Sequence, residues 1–219
     1  MTPTRITAIS GIAFVVLFVA GVAAIGDAFG NFGDSDATFV EYYRDDHLLD
    51  VLGAYLITLA GLAFLRFVVG VCGGAIADPE ARIAAIFAML CGVVFVALLA
   101  SAVAAAATIP ASRLYGEIFS DTGQIATDVS TLPQLGFVFL YLSGALFASA
   151  SVASMAVVMR RESALPAWVA RFGFVTAALL LLSGLFLPLF LLPVWVLAAS
   201  VAMLRGQGRS GDAVPGRTD

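Results

Sequence analysis

Ile83–Ser112 reads IAAIFAMLCGVVFVALLASAVAAAATIPAS, a run with no charged side chain. As a helix rising 1.5 Å per residue it would be about 45 Å long, more than a hydrocarbon core about 30 Å thick requires. In lipid, where water cannot satisfy backbone N–H and C=O groups, such a run closes its hydrogen bonds within itself as a helix. Three further charge-free runs accompany it, at Ile6–Gly26, Val129–Met159 and Phe172–Leu204.

The rest of the composition agrees. The 219 residues are 61% hydrophobic and 12% charged, with a mean hydropathy of +1.03, whereas about a quarter of the residues in a soluble domain are charged. The chain therefore reads as all-α: a polytopic transmembrane helical bundle occupying residues 1–205, with no separate soluble domain. Six spans are expected, at Ile6–Gly26, Val51–Val71, Ile83–Ile109, Leu135–Met159, Ala167–Leu187 and Leu189–Leu204. The tail, residues 206–219, is rich in Gly and mixed charge without apolar period, and is expected to be disordered and cytoplasmic.

Two of these assignments need argument. Leu165–Leu204 as one straight helix would be about 60 Å long, twice the hydrocarbon thickness, so it must fold back. Pro188 and Pro193 interrupt the helical ladder near its midpoint and supply the turn. The first span follows Arg5 and ends in small residues, as a secretory signal does, but its apolar stretch is too long for a signal core and it is kept as a span. Cleavage there would leave five spans.

Orientation comes from the bases, all of which are Arg. Arg5, Arg66, Arg82, Arg160, Arg161, Arg171, Arg205, Arg209 and Arg217 fall on one side of this threading, and only Arg44 and Arg113 on the other. Basic residues are retained in the cytoplasm, so both termini are expected there, in the cell membrane. The long connections Asp27–Asp50 and Pro110–Gln134 then face outward.

The first of these carries DSDATFVEYYRDDHLLD, residues 34–50, the most distinctive polar segment. Thr38 and Glu41 have the spacing of a capping box, and Phe39, Val40 and Tyr43 share a helical face, so a short interfacial helix is expected, with Tyr42 and Tyr43 at headgroup level. Its oxygen ligands suit Mg²⁺ or Ca²⁺. The candidate metal residues are Glu41, Asp46, His47 and Asp50, joined by Asp121 or Asp128 from the other outer connection. The competing reading is a solvated acidic cap.

Other chemistry is poorly served. One histidine cannot build a three-His zinc site or a bis-His haem. Cys72 and Cys91 form no CxxC and read as packed thiols. No phosphate-binding glycine loop or nucleic-acid patch occurs, and no catalytic residue or cofactor is assigned. Arg66 is the one charge clearly inside a span and is expected to snorkel to the headgroups. No span holds a central acid, which weakens ion-coupled transport. Small residues at Gly53, Gly61, Ser101–Ala107 and Ser143–Ser154 permit close helix contact, either inside one chain or along a homo-oligomer seam.

SGIAFVVLFVAG, FVEYYRDD and LPAWVARFGFVTAALLLLSG with LFLLPVWVLAAS together resemble the small six-span integral membrane proteins of actinobacteria and archaea grouped as a domain of unknown function. The resemblance implies a compact helical bundle and transfers no functional residue. The expected function is structural or regulatory, without catalysis. The alternatives are a small carrier or channel for an apolar or weakly polar solute, and a membrane enzyme with a metal at the outer acidic loops.

Overall fold

The computed structural model describes residues 3–25, 48–119, 131–162, 165–183 and 187–211. Six helices account for nearly all of them: α1 Pro3–Ile25, α2 Leu48–Cys72, α3 Pro79–Phe119, α4 Thr131–Glu162, α5 Ala167–Leu180 and α6 Leu191–Gly211. The first four are long and apolar enough to cross a membrane, and α5 and α6 are shorter apolar helices. The interfacial helix expected around Thr38–Tyr43 lies outside the described residues.

Local sequence chemistry starts and stops these helices. Gly73 donates back to the Val69 carbonyl as α2 ends, and a single 3-10 turn, Gly74–Ala77, leads to Asp78. The Asp78 carboxylate accepts from the Glu80 N–H at 3.1 Å, and Pro79 occupies the first helical position, where its missing N–H costs no bond. Arg82 closes the same turn by donating to the Ile76 carbonyl.

Three boundaries differ from those read in the sequence. α3 continues through Pro110 to Phe119, ten residues into the expected outer connection. Proline removes one ladder bond, to the carbonyl four residues back, and need not end a helix whose flank is supported. The start of α4 packs against α3 two turns earlier, where a Cβ on Gly136 would lie 2.6 Å from the Ala102 carbonyl oxygen. α5 stops at Leu180, short of the expected Leu187: the Leu182 N–H donates to the Leu179 carbonyl in a tighter turn, and the Ser183 hydroxyl donates to the Leu180 carbonyl at 2.7 Å. Pro188 then sits in a 3-10 turn, Leu187–Phe190, and Pro193 in the first turn of α6. α6 itself runs on through Gly206 to Gly211.

The helices alternate in direction. Thr7 meets Gly70 and Gly21 meets Gly53, so α1 and α2 are antiparallel. Val68 lies by Gly92, and Val96 by Gly61, which reverses α3 against α2. Ser151 reaches Ala88 on α3, and Arg161 reaches Glu80, reversing α4. Ser149 on Ala177 and Ser183 on Tyr141 reverse α5. Trp195 on Val169 completes the α5–α6 hairpin that the prolines foretold. Gly11 of α1 packs on Ser200, so α6 closes the ring against the first helix. The start of α1 and the end of α6 therefore share one face of the bundle.

Packing is inverted relative to a water-soluble bundle. The centre is filled by small side chains and an aromatic ladder: Ala60, Ala88, Ala102, Ala148 and Ala199 are fully buried, while large aliphatics such as Leu62, Leu90 and Leu142 face outward. Phe14 meets Phe64 at a tilt with centroids 5.2 Å apart, Phe64 meets Phe95 edge-on at 5.4 Å, and Phe67 meets Trp195 edge-on at 6.3 Å. In lipid an outward Leu costs nothing, and small inward residues let backbones approach.

Candidate functional site

Of the candidate metal residues, only Asp50 lies within the described part of the chain. Glu41, Asp46, His47, Asp121 and Asp128 fall outside it, so the structure neither joins nor separates them. No group of three metal-ligating side chains occurs among the described residues. Asp50 is buried rather than part of a solvated cap. It stands in the first turn of α2, where the helix dipole favours a carboxylate. The close approach of Gly53 to Ile25 brings the end of α1 against the beginning of α2.

Most polar groups in the membrane-spanning core are hydroxyls bonded to helix carbonyls. Ser149 donates to Ala177 at 2.7 Å, Ser151 to Ala88 at 2.9 Å and Ser200 to Val196 at 2.8 Å. Ser183 bridges the Leu180 and Tyr141 carbonyls. Tyr141 belongs to Val138–Gly144, where α4 widens into a π-type turn with Leu140, Tyr141 and Gly144 inside. Thr176 is the exception: its hydroxyl is fully buried and finds no hydrogen-bond partner among the described residues.

Small residues are spent mostly inside the chain. Gly53, Gly61, Ala102, Ala106, Ser149 and Ser151 are all buried between helices. Ala97, Ser101, Ala104 and Thr108 remain on the outer face of α3, with both hydroxyls bonded back along their own helix. Cys72 and Cys91 are buried and form no disulfide.

Six of the described arginines gather at one end, whereas Arg113 stands toward the opposite end on the last part of α3. Arg5, Arg82, Arg160, Arg161, Arg171 and Arg205 are exposed near helix ends on the face shared by the start of α1 and the end of α6. Arg66 is also exposed, on the outside of α2, as snorkelling requires. Arg161 pairs with Glu80 at 2.7 Å. At this same end a cavity of about 690 Å³ opens between the beginning of α5 and the side of α6. Its walls include Trp168, Val194, Leu197, Ala198 and Val201, and Arg205 lines it too.

The sequence reading missed the burial of Asp50, the orphan Thr176 hydroxyl, the π-type turn and this cavity. Phe14 with Phe18 and Phe64 with Phe67 carry i, i+4 and i, i+3 spacings that could have signalled the aromatic ladder. The cavity had a fainter signal, the stripe of Val194, Leu197, Ala198, Val201 and Arg205 along one helix face.

No protein-family model, curated protein or solved structure matches the chain. Helix length, apolar composition and outward-facing aliphatic side chains establish the coarse identity: this is a helical, multi-pass membrane protein.

Proposed function

We propose that the chain is a non-catalytic integral membrane protein, structural or regulatory, which acts through its helix packing, with both termini in the cytoplasm and the acidic connections outside. The observation that carries this reading is the apolar character of the described, buried residues at the centre. A carrier or channel needs a polar track between α2, α3 and α4. There the described residues include Phe64, Phe95, Ala88 and Ala148, and Ser151 is held on the Ala88 carbonyl. The arginine-rich end supports the cytoplasmic assignment through retention of basic residues.

A metal-dependent enzyme would require the outer acidic residues to converge on Asp50. Self-association through small-residue faces, and kinship with the six-span actinobacterial and archaeal group, belong to the same proposal. Reconstituted vesicles loaded with ions, sugars or small apolar fluorophores test it. Release no faster than from protein-free vesicles is the expected result, and saturable release of any of these solutes would replace the reading with the carrier.

A further inference from the structure

The groove between α5 and α6 has the dimensions and polarity of one lipid leaflet. Val194, Leu197, Ala198, Val201 and Arg205 follow one another at helical spacing along α6, all lining the groove. From Val194 to Arg205 the helix rises about 16 Å, close to half of a 30 Å hydrocarbon core. The lower wall is apolar, and Ala198 and Ala202 lack the bulk that would fill it. α5 and α6 make the slightest contact of the successive helix pairs, which leaves the space open.

The upper end is built for charge. Arg205 is exposed and has no carboxylate partner among the residues whose side chains are described, unlike Arg161 with Glu80. Trp168, 53% exposed, lines the same groove from the first turn of α5, and amphipathic indoles favour headgroup level. Pro166 precedes that turn and supplies no side-chain cap, so the positive end of the α5 dipole adds to the guanidinium field.

We propose that this groove binds one anionic phospholipid, its phosphate on Arg205 and one acyl chain along Val201, Ala198, Leu197 and Val194. An apolar partner helix would fit the walls but leave Arg205 without a counter-charge, whereas an anionic lipid satisfies both ends. A basic pocket between spans at a headgroup level is a recognised setting for such lipids. The proposal rests on membrane insertion and goes beyond the packing role. It does not depend on which face is cytoplasmic, because test vesicles can carry the same lipids in both leaflets.

The test uses tryptophan fluorescence of the whole protein in mixed vesicles, with bromine on either phosphatidylglycerol or phosphatidylcholine. Trp195 is fully buried, so Trp168 supplies the lipid-sensitive signal, and Trp168→Phe isolates the remainder. At equal mole fraction, quenching should show about a five-fold preference for phosphatidylglycerol, the size expected of one arginine near the surface. Arg205→Gln should abolish the preference and Arg205→Lys should keep it. Should Arg205→Gln fail to fold, rising salt on the unaltered protein must erase the preference. Equal quenching by both lipids, a preference that survives Arg205→Gln, or one removed by inorganic phosphate in solution would each overturn the proposal. Solute release overturns the packing role alone and leaves this test standing.

Discussion

Trp195 on α6 donates its indole N–H to the Val169 carbonyl of α5 at 3.2 Å, and its ring lies directly over Gly173. These two residues hold the C-terminal hairpin closed. Trp195→Phe keeps most of the ring and should cost about 1 kcal/mol for the lost bond, whereas Trp195→Ala should cost about 3–5 kcal/mol through the cavity left behind. Gly173→Ala should also destabilise, since its Cβ would sit 2.9 Å from the indole nitrogen and 3.0 Å from Ala156 Cβ. Thermal unfolding in detergent, followed by a thiol-reactive dye that reaches buried Cys72 and Cys91 only on opening, measures all three.

Two of the glycines of α2, Gly53 and Gly61, should respond differently to alanine. A Cβ on Gly53 would meet backbone, 2.6 Å from the Ile25 nitrogen and 2.7 Å from the Gly21 oxygen, so α1 would have to move away. One on Gly61 would meet Val96 Cγ1 at 2.9 Å, the end of a side chain that can shift. Gly53→Ala is expected to destabilise by about 1–3 kcal/mol. Gly61→Ala should be nearly neutral, because the helix-propensity gain of about 1 kcal/mol offsets the crowding. Equal effects would show that the two interfaces yield alike.

Ser151 ties α4 to α3 through the Ala88 carbonyl, but that carbonyl also belongs to a helical ladder. Ser151→Ala should therefore cost little, about 0.6 kcal/mol, the average for hydrogen bonds between spans. A loss several times larger would assign Ser151 a role beyond packing.

Thr176 should run the other way. Its buried hydroxyl has no partner among the described residues, so Thr176→Val, which keeps the shape and removes the polar atom, should leave stability unchanged or raise it by about 1 kcal/mol. A fall in the unfolding temperature of the valine variant would reveal a partner for the hydroxyl.

Threading is tested by single-cysteine labelling of Ser35→Cys and Ser210→Cys with a membrane-impermeant maleimide, the unaltered protein serving as control for Cys72 and Cys91. Ser35→Cys should react from outside intact cells, and Ser210→Cys only after permeabilisation. The reverse pattern would invert the arginine argument.

Much of the bundle was readable because lipid is an undemanding solvent for pattern reading. A charge-free run such as Ile83–Ile109 has one available backbone solution, and two prolines inside Leu165–Leu204 demand a reversal. Boundaries were less readable. Pro110 looks like a terminus in sequence, yet neighbouring helices can hold a helix through the loss of one ladder bond. Ser183, just past the end of α5, is an ordinary serine until the carbonyls of Leu180 and Tyr141 are placed beside it. In the acidic connection only Asp50 could be followed, and its burial is a tertiary property that its exposed-looking polar context in the sequence does not carry.

The sequence by itself determined environment, helix count and the hairpin, because the absence of charge over a membrane-length run is a property of the chain alone. Only the tertiary structure decided which apolar side chains form the core. In a segment hydrophobic all round, periodicity cannot separate the face that packs from the face that meets lipid. That choice set Phe14, Phe64 and Phe95 inside and Leu62 and Leu142 outside. It also left the stripe from Val194 to Arg205 lining a groove, where a lone guanidinium acquires a place and a candidate ligand.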